Sequence, residues 1–176
     1  IRPTTEIIGR HTQTGRIGIL ATSGTVQSQS YLIEIQKFFP VLKIEQEACR
    51  MWVPLVENNE HQTEGADYFI QKHINNILSR DSEIDTLLLA CTHYPLLKDK
   101  IAKYLPSNVK LLSQGEIVAE SLEDYLQRHA EIKKRISQQA KRTFYTTDAV
   151  EDFDNKASVF FGETVNDGKM QAVYSE

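Results

Sequence analysis

Thr86-Leu87-Leu88-Leu89-Ala90-Cys91-Thr92-His93-Tyr94-Pro95 is the stretch that decides the fold. Its first five residues are uncharged and mostly apolar, as expected of a central strand in a parallel sheet, where both faces are covered. The run ends at Cys91. Pro95 is placed to open a helix, because its missing N–H would have no partner in a first turn anyway, and that helix is expected to reach about Leu105 before Pro106. A strand passing through a short polar turn into a helix is half of a βαβ unit, so the flanking segments should repeat the rhythm.

Upstream, Ile17-Gly18-Ile19-Leu20-Ala21 reads as a first strand that breaks into the polar turn Thr22-Ser23-Gly24-Thr25. From Val26 to Phe39, Tyr31, Leu32, Ile35, Phe38 and Phe39 recur at helical spacing, and Pro40 stops the run. Val41 to Glu47 reads as a second strand, and Trp52 to His61 as irregular. Glu64 to Leu78 sets Ala66, Phe69, Ile70, Ile74, Ile77 and Leu78 on one helical face, with Asp81 closing it. Downstream, Val109 to Leu112 reads as another strand, and Ser113-Gln114-Gly115-Glu116 fits a capping box opening a helix towards His129. Thr143 to Thr146 reads as a strand, and Asp148-Ala149-Val150-Glu151 as the cap of a last helix near Phe160.

The expected fold class is therefore α/β: an open, mostly parallel sheet with flanking helices over residues 14–112. Residues 113–176 offer a helix, a strand and a helix with little core, and are expected to belong to a second, largely absent α/β domain. A length of 176 residues suits one domain and a part. Composition is that of an ordinary globular protein, 40% hydrophobic and 25% charged. The formal charge of -4 leaves no broad cationic surface, so no nucleic-acid partner is expected. Arg128 to Arg142, rich in Lys and Arg, reads as a solvated helix end or loop rather than a binding patch. No apolar run approaches the roughly 18 to 20 residues of a membrane span. Two cysteines, Cys49 and Cys91, are too few for a disulfide framework, and no signal peptide precedes them, so free thiols and a cytoplasmic location are expected. The chain opens on Ile1 with no Met, which reads as a piece of something longer.

The residues with the most chemistry follow the deciding strand. Open α/β sheets bind ligands outside the carboxyl ends of their strands, and Cys91 stands there. A cysteine acts as base or nucleophile through its thiolate, which a helix N-terminus and a nearby imidazole both favour. His93, two residues on, points to the same side if the extended backbone continues. The same spacing also fits a small buried Cys beside a solvent-facing His. A metal site is not expected, since Cys49 and Cys91 are far apart in sequence and no CxxC or HxxxH spacing occurs.

The segment Leu88 to Leu97 closely resembles the signature around the second catalytic cysteine of bacterial glutamate racemases, in the aspartate/glutamate racemase superfamily. Gly15 to Val26, and Ala48-Cys49 followed by Val53-Pro54-Leu55-Val56-Glu57, agree with that family in order and spacing. The resemblance implies two pseudosymmetric α/β domains enclosing the substrate, with a cysteine from each on opposite sides of the α-carbon. One thiolate removes the α-proton and the other thiol reprotonates the opposite face, with no cofactor. The reaction interconverts L- and D-glutamate and supplies D-glutamate for peptidoglycan, hence for cell-wall biogenesis and cell shape. Carried over by motif, Cys91 is the group serving L-glutamate, His93 its proton-handling neighbour, and Glu57 the residue polarising that His. Thr92 binds the substrate's carboxylate or amino group. Thr22 and Thr25 are substrate contacts or, equally, helix caps.

The sequence also departs from that family. Ala90 stands where Gly is usual, Arg50 where Pro is common, and Cys49 reads as a buried thiol without chemistry. The family's Asp-Ser-Gly start, its Pro-Tyr-Gly and its Ala-Cys-Asn-Thr motif with the first catalytic cysteine are missing. The expected partners are glutamate and an absent N-terminal racemase domain, with a homodimer as a further option. The chain alone is expected not to racemise. Two other readings stay open: a catalytically incomplete glutamate-binding or regulatory module, and a related aspartate racemase. The Cys-Thr-His-Tyr-Pro and Val-Pro-Leu-Val-Glu pair favours glutamate.

Overall fold

Four strands, β1 (Arg16–Ala21), β2 (Lys43–Ala48), β3 (Thr86–Leu89) and β4 (Lys110–Ser113), form one all-parallel sheet in the order β2-β1-β3-β4. β1 pairs Ile17 with Thr86 and Leu20 with Leu89, so it lies in the middle beside β3. The period-two alternation of side chains divides the sheet's apolar residues between two layers. Ile17, Ile19, Ala21 and Leu88 pack with Ile8, Tyr31 and Ile35, whereas Leu20, Leu87 and Leu89 pack with Trp52, Ile70, Ile74, Ile77 and Ile101. Both layers demand apolar side chains, which is why β3 is a continuous run and is buried at all four positions. The computed structural model describes residues 1–137, 139, 142, 144–147 and 149–164, and the backbone of 171–172.

The helices deviate from expectation where local backbone conformation intervenes. A short α1 (Arg2–Thr5) and a 3₁₀ turn at Ile8–Arg10 precede β1. In place of one helix from Val26 to Phe39 there are two, α2 (Ser23–Ser28) and α3 (Ser30–Phe38), because Gln29 takes a left-handed conformation with φ 52°. The expected turn Thr22 to Thr25 is thus a helix start, with Thr22 as its cap. The segment read as irregular contains α4 (Trp52–Glu57). Pro54 is tolerated there because N–H groups of a first turn have no intrahelical partner.

α5 (Glu64–Arg80) forms where the 3.6-residue spacing placed it and ends at Asp81. Its Ile70, Ile74 and Ile77 are almost completely buried. Each such isoleucine stabilises the fold by about 1.5–3 kcal/mol. A Cβ at Gly18 would fall 2.3 Å from Leu87 Cδ2 and 2.7 Å from Ile77 Cδ1, so a glycine in β1 permits this close approach of α5. After β3 the continuous helix expected from Pro95 is a 3₁₀ turn, Tyr94–Leu97, followed by α6 (Lys98–Lys103). α7 (Gln114–Arg128) follows β4 directly; Ser113 is the last residue of β4.

The chain divides into two compact units, Ile1–Tyr125 and Leu126–Glu176, a boundary inside α7 rather than at 112/113. The second unit holds α8 (Ala130–Lys133), β5 (Tyr145–Thr146), α9 (Val150–Phe161) and β6 (Gln171–Ala172), with β5 and β6 parallel. Phe144 lies 6.2 Å from both Phe153 and Phe161, ring centre to ring centre, and the Arg142 guanidinium sits 4.5 Å above the Phe161 ring. Thr143 of the expected strand and Asp148 of the expected cap lie outside the described residues. No helix among the described residues is long and apolar enough to cross a membrane.

Asp85, just before β3, ties the entry of the sheet together. It accepts from Thr12 Oγ1 at 2.6 Å, Gln13 N at 2.6 Å, Thr14 N at 2.9 Å and Thr86 Oγ1 at 3.0 Å. Burial alone would raise its pKa, but these donors outweigh it and pull the carboxyl down to about 2. Its contribution to stability is complete above the unfolded value near 4 and is lost as pH falls from about 4 through about 2. Asp85→Ala is expected to lower unfolding free energy at pH 7 by about 2–4 kcal/mol, because it strands several buried donors. Urea titrations should show the gap to wild type closing towards pH 2; equal stability at pH 7 would refute the assignment.

Candidate active site

The strand order places the site. From β1 the chain crosses to β2 on one side and later returns to β3 on the other, so the connections leaving β1 and β3 diverge and open a crevice at their carboxyl ends. Thr22 follows β1 immediately, and Cys91 follows β3 by two residues. A cleft of about 350 Å³ opens there, lined by Ile1, Thr22, Thr25, Tyr31, Ala90, Cys91, Thr92 and Gln114. All eight lie in the first unit.

Beside the thiol runs a chain of contacts. Cys91 Sγ lies 3.9 Å from His93 Nδ1, and His93 Nε2 lies 2.5 Å from Glu57 Oε1. Glu57 is the last residue of α4, which is held by Trp52; that indole is fully buried and meets the Tyr94 ring edge-on, centroids 4.9 Å apart. Tyr94 in turn donates its hydroxyl to the Cys49 carbonyl at 3.2 Å. These contacts bring a carboxylate from 36 residues upstream to the imidazole. A carboxylate can only accept, so it holds a proton on Nε2 and leaves the Nδ1 lone pair turned towards Cys91 and towards Thr92 Oγ1, 3.4 Å away. The contacts therefore run from thiol to imidazole to carboxylate.

Local features of the sequence favour a thiolate at Cys91, and burial works against it. Burial raises the Cys91 pKa, and the backbone N–H groups of His93, Tyr94 and Thr92 offset this only in part. The expected α-helix N-terminus at Pro95 is a 3₁₀ turn, so its dipole is small. Cys91 rests as a half-buried protonated thiol with a base beside it. Cys49 differs: it is 1% exposed and burial pushes its thiol up further.

The structure brings Cys91, Thr92, Thr22 and Thr25 to one cleft and sets His93 beside Cys91 and Glu57 beside His93. Thr22 and Thr25 stand at the start of α2. Their hydroxyls lie 3.0 Å apart and Thr22 caps α2, while both line the cleft. Sequence reasoning missed Tyr31, counted only as an apolar helical residue, and Gln114, counted only as the interior of a capping box. Neither type advertises a ligand contact; their shared place on the cleft wall is a tertiary fact. No group of three or more His, Cys, Asp or Glu fit to hold a metal occurs among the described residues.

A thiol, an imidazole and a carboxylate in successive contact at the switch point of a parallel sheet are the kinds of group that general acid–base chemistry uses. No family model matches the chain. A glutamate racemase from Streptococcus suis is 33% identical over 151 residues, covering 86% of this chain and 56% of that protein. One from Geobacter metallireducens is 31% identical over 163 residues, 93% of this chain and 57% of its own length. The crystal structure of a glutamate racemase isoform from Bacillus anthracis matches with TM-score 0.84 and 30% identity, over 99% of this chain and 63% of that one. The chain spans somewhat more than half the length of these curated relatives and is similar to the C-terminal portion of glutamate racemases.

Proposed function

We propose that this chain is the Cys91-bearing part of a glutamate racemase, a cofactor-independent isomerase that interconverts L- and D-glutamate by two thiols. The observation that carries the reading is the Cys91–His93–Glu57 array, whose thiol lines the cleft. In the L-to-D direction the Cys91 proton passes to His93. The thiolate then takes the α-proton of L-glutamate: the C–H bond breaks, the S–H bond forms, and the electron pair spreads into the substrate carboxylate. A second thiol returns a proton to the opposite face. In the reverse direction Cys91 donates, which suits a thiol whose pKa is raised.

The opposing thiol comes from residues outside this chain, because the other cysteine here, Cys49, is sealed. In this reading residues 113–176 associate with the domain that carries it, and Thr92, Thr22 and Thr25 hold the amino and carboxylate groups of glutamate. The physiological role is supply of D-glutamate for peptidoglycan in the cytoplasm. Incubation with L-glutamate and chiral detection of product tests this. The complete two-domain protein should form D-glutamate and the 176-residue chain should form none. Preferential turnover of aspartate would redirect the reading to an aspartate racemase. Glutamate binding without turnover by the complete protein would replace the enzyme with a binding module.

A further inference from the structure

Glu47, next to last in β2, and His73 of α5 are 7% and 8% exposed, and Glu47 Oε1 lies 2.7 Å from His73 Nδ1. The same oxygen accepts from Asn76 Nδ2 at 3.1 Å, and Glu47 Oε2 lies 2.8 Å from an Arg80 guanidinium nitrogen. His73, Asn76 and Arg80 recur at helical spacing, so one face of α5 grips the carboxylate. Burial would raise the Glu47 pKa, but these three partners outweigh it and hold the carboxyl below its ordinary value. A carboxylate accepts only, so His73 carries its proton on Nδ1 and its ring is held in one orientation. A buried charged cluster seldom stabilises a fold more than apolar residues of the same volume would, so its presence here points to placement rather than stability.

What the cluster places is α4. The His73 ring meets the Trp52 indole edge-on, centroids 5.9 Å apart, and Trp52 Nε1 donates at 3.4 Å to the carbonyl of Phe69, one turn earlier on α5. His73 is thus a junction: it fastens the carboxyl end of β2 through Glu47 and the first residue of α4 through Trp52, and only Cys49, Arg50 and Met51 separate that strand from that helix. With six residues, α4 is too short to be held by its own hydrogen bonds, so its direction is set by this anchorage. Its last residue, Glu57, is the one that meets His93. We propose that His73, fixed by Glu47, is a positioning residue for the Cys91–His93–Glu57 array, acting through Trp52 to aim α4 so that the Glu57 carboxylate reaches His93. This rests on the reading of that array as the proton-transfer site and adds to it a support that lies outside the cleft lining.

Iodoacetamide reacts with the thiolate, so its rate of labelling Cys91 in the 176-residue chain reads thiolate formation without turnover, and peptide mapping separates Cys91 from Cys49. Glu57→Gln is the reference and is expected to slow labelling at neutral pH. His73→Asn keeps a donor for Glu47 but takes the ring away from Trp52, and is expected to slow labelling about three- to tenfold, the size of coupling between residues in one network. His73→Phe, which keeps the ring but frees it from Glu47, should recover part of that rate. In the double variant His73→Asn/Glu57→Gln, labelling should be no slower than in Glu57→Gln alone, because both changes act on one contact. Trp52 is the chain's single tryptophan, so its emission should move to longer wavelength in His73→Asn and back in His73→Phe. Circular dichroism checks folding; if His73→Asn does not fold, His73→Phe takes its place in the cycle, with a smaller slowing that again vanishes beside Glu57→Gln. Wild-type labelling in the folded His73 variant overturns the proposal, and so does a slowing that persists in full beside Glu57→Gln, which marks a merely structural residue. If Glu57→Gln itself labels like wild type, the reading of the array falls and takes this proposal with it, so the two failures are told apart.

Discussion

Alanine at Cys91 in the complete enzyme is expected to lower racemisation at least about 10³-fold, because general acid–base groups in direct contact with the transferred proton contribute on the order of 10²–10⁴ and inversion needs both faces served. Cys91 is half-buried at the end of a fully buried strand, and alanine is smaller, so the fold has no reason to change. The defect should be directional. In D₂O, L-glutamate should no longer exchange its α-proton, since the group facing it is gone, while D-glutamate should still exchange at the opposing thiol without inverting. Mass spectrometry of each enantiomer reads both rates. Full racemisation in the variant would remove Cys91 from the mechanism.

Glu57→Gln is expected to lower kcat about 10- to 100-fold with little change in KM, the range seen when a group orienting a reactive residue is lost. Glu57 contacts His93 and lies outside the residues lining the cleft, so in the proposed mechanism it acts through His93 as a positioning residue. The isosteric amide keeps the volume but removes the charge that stabilises imidazolium. His93 then accepts the thiol proton less readily, and more alkaline conditions are needed to form the thiolate. The ascending limb of the pH–rate profile should move to higher pH, and Glu57→Asp should recover part of the loss. A purely structural Glu57 would depress activity evenly across pH, and an unmoved limb would refute the role assigned here.

How much of this was legible beforehand can be seen residue by residue. β3 and α5 were readable because burial on both faces and burial on one helical face leave different periods in the sequence. Cys91 was readable as a strand-end residue for the same reason. The break at Gln29 was not, because glutamine carries no mark of a left-handed backbone and the apolar spacing runs through it. α4 was missed because six residues are too few to show a helical period, and its stability comes from Trp52 packing against Tyr94 and His73. The sign of the Cys91 shift was also out of reach, since local features argue for a thiolate while the enclosing layers argue against it.

The sequence by itself determined the alternation of strands and helices, the place of Cys91 after the central strand, and, through its motifs, the kinship with glutamate racemases. These are local properties, written in side-chain periods and short spacings. The tertiary structure supplied the contact between Glu57 and His93 and the burial of Cys49, which the sequence had raised only as expectations, and it alone put Tyr31 and Gln114 on the wall of the Cys91 cleft. Proximity between residues tens of positions apart, and the burial that sets their proton affinities, arise from how whole elements pack, which no local window of the chain records.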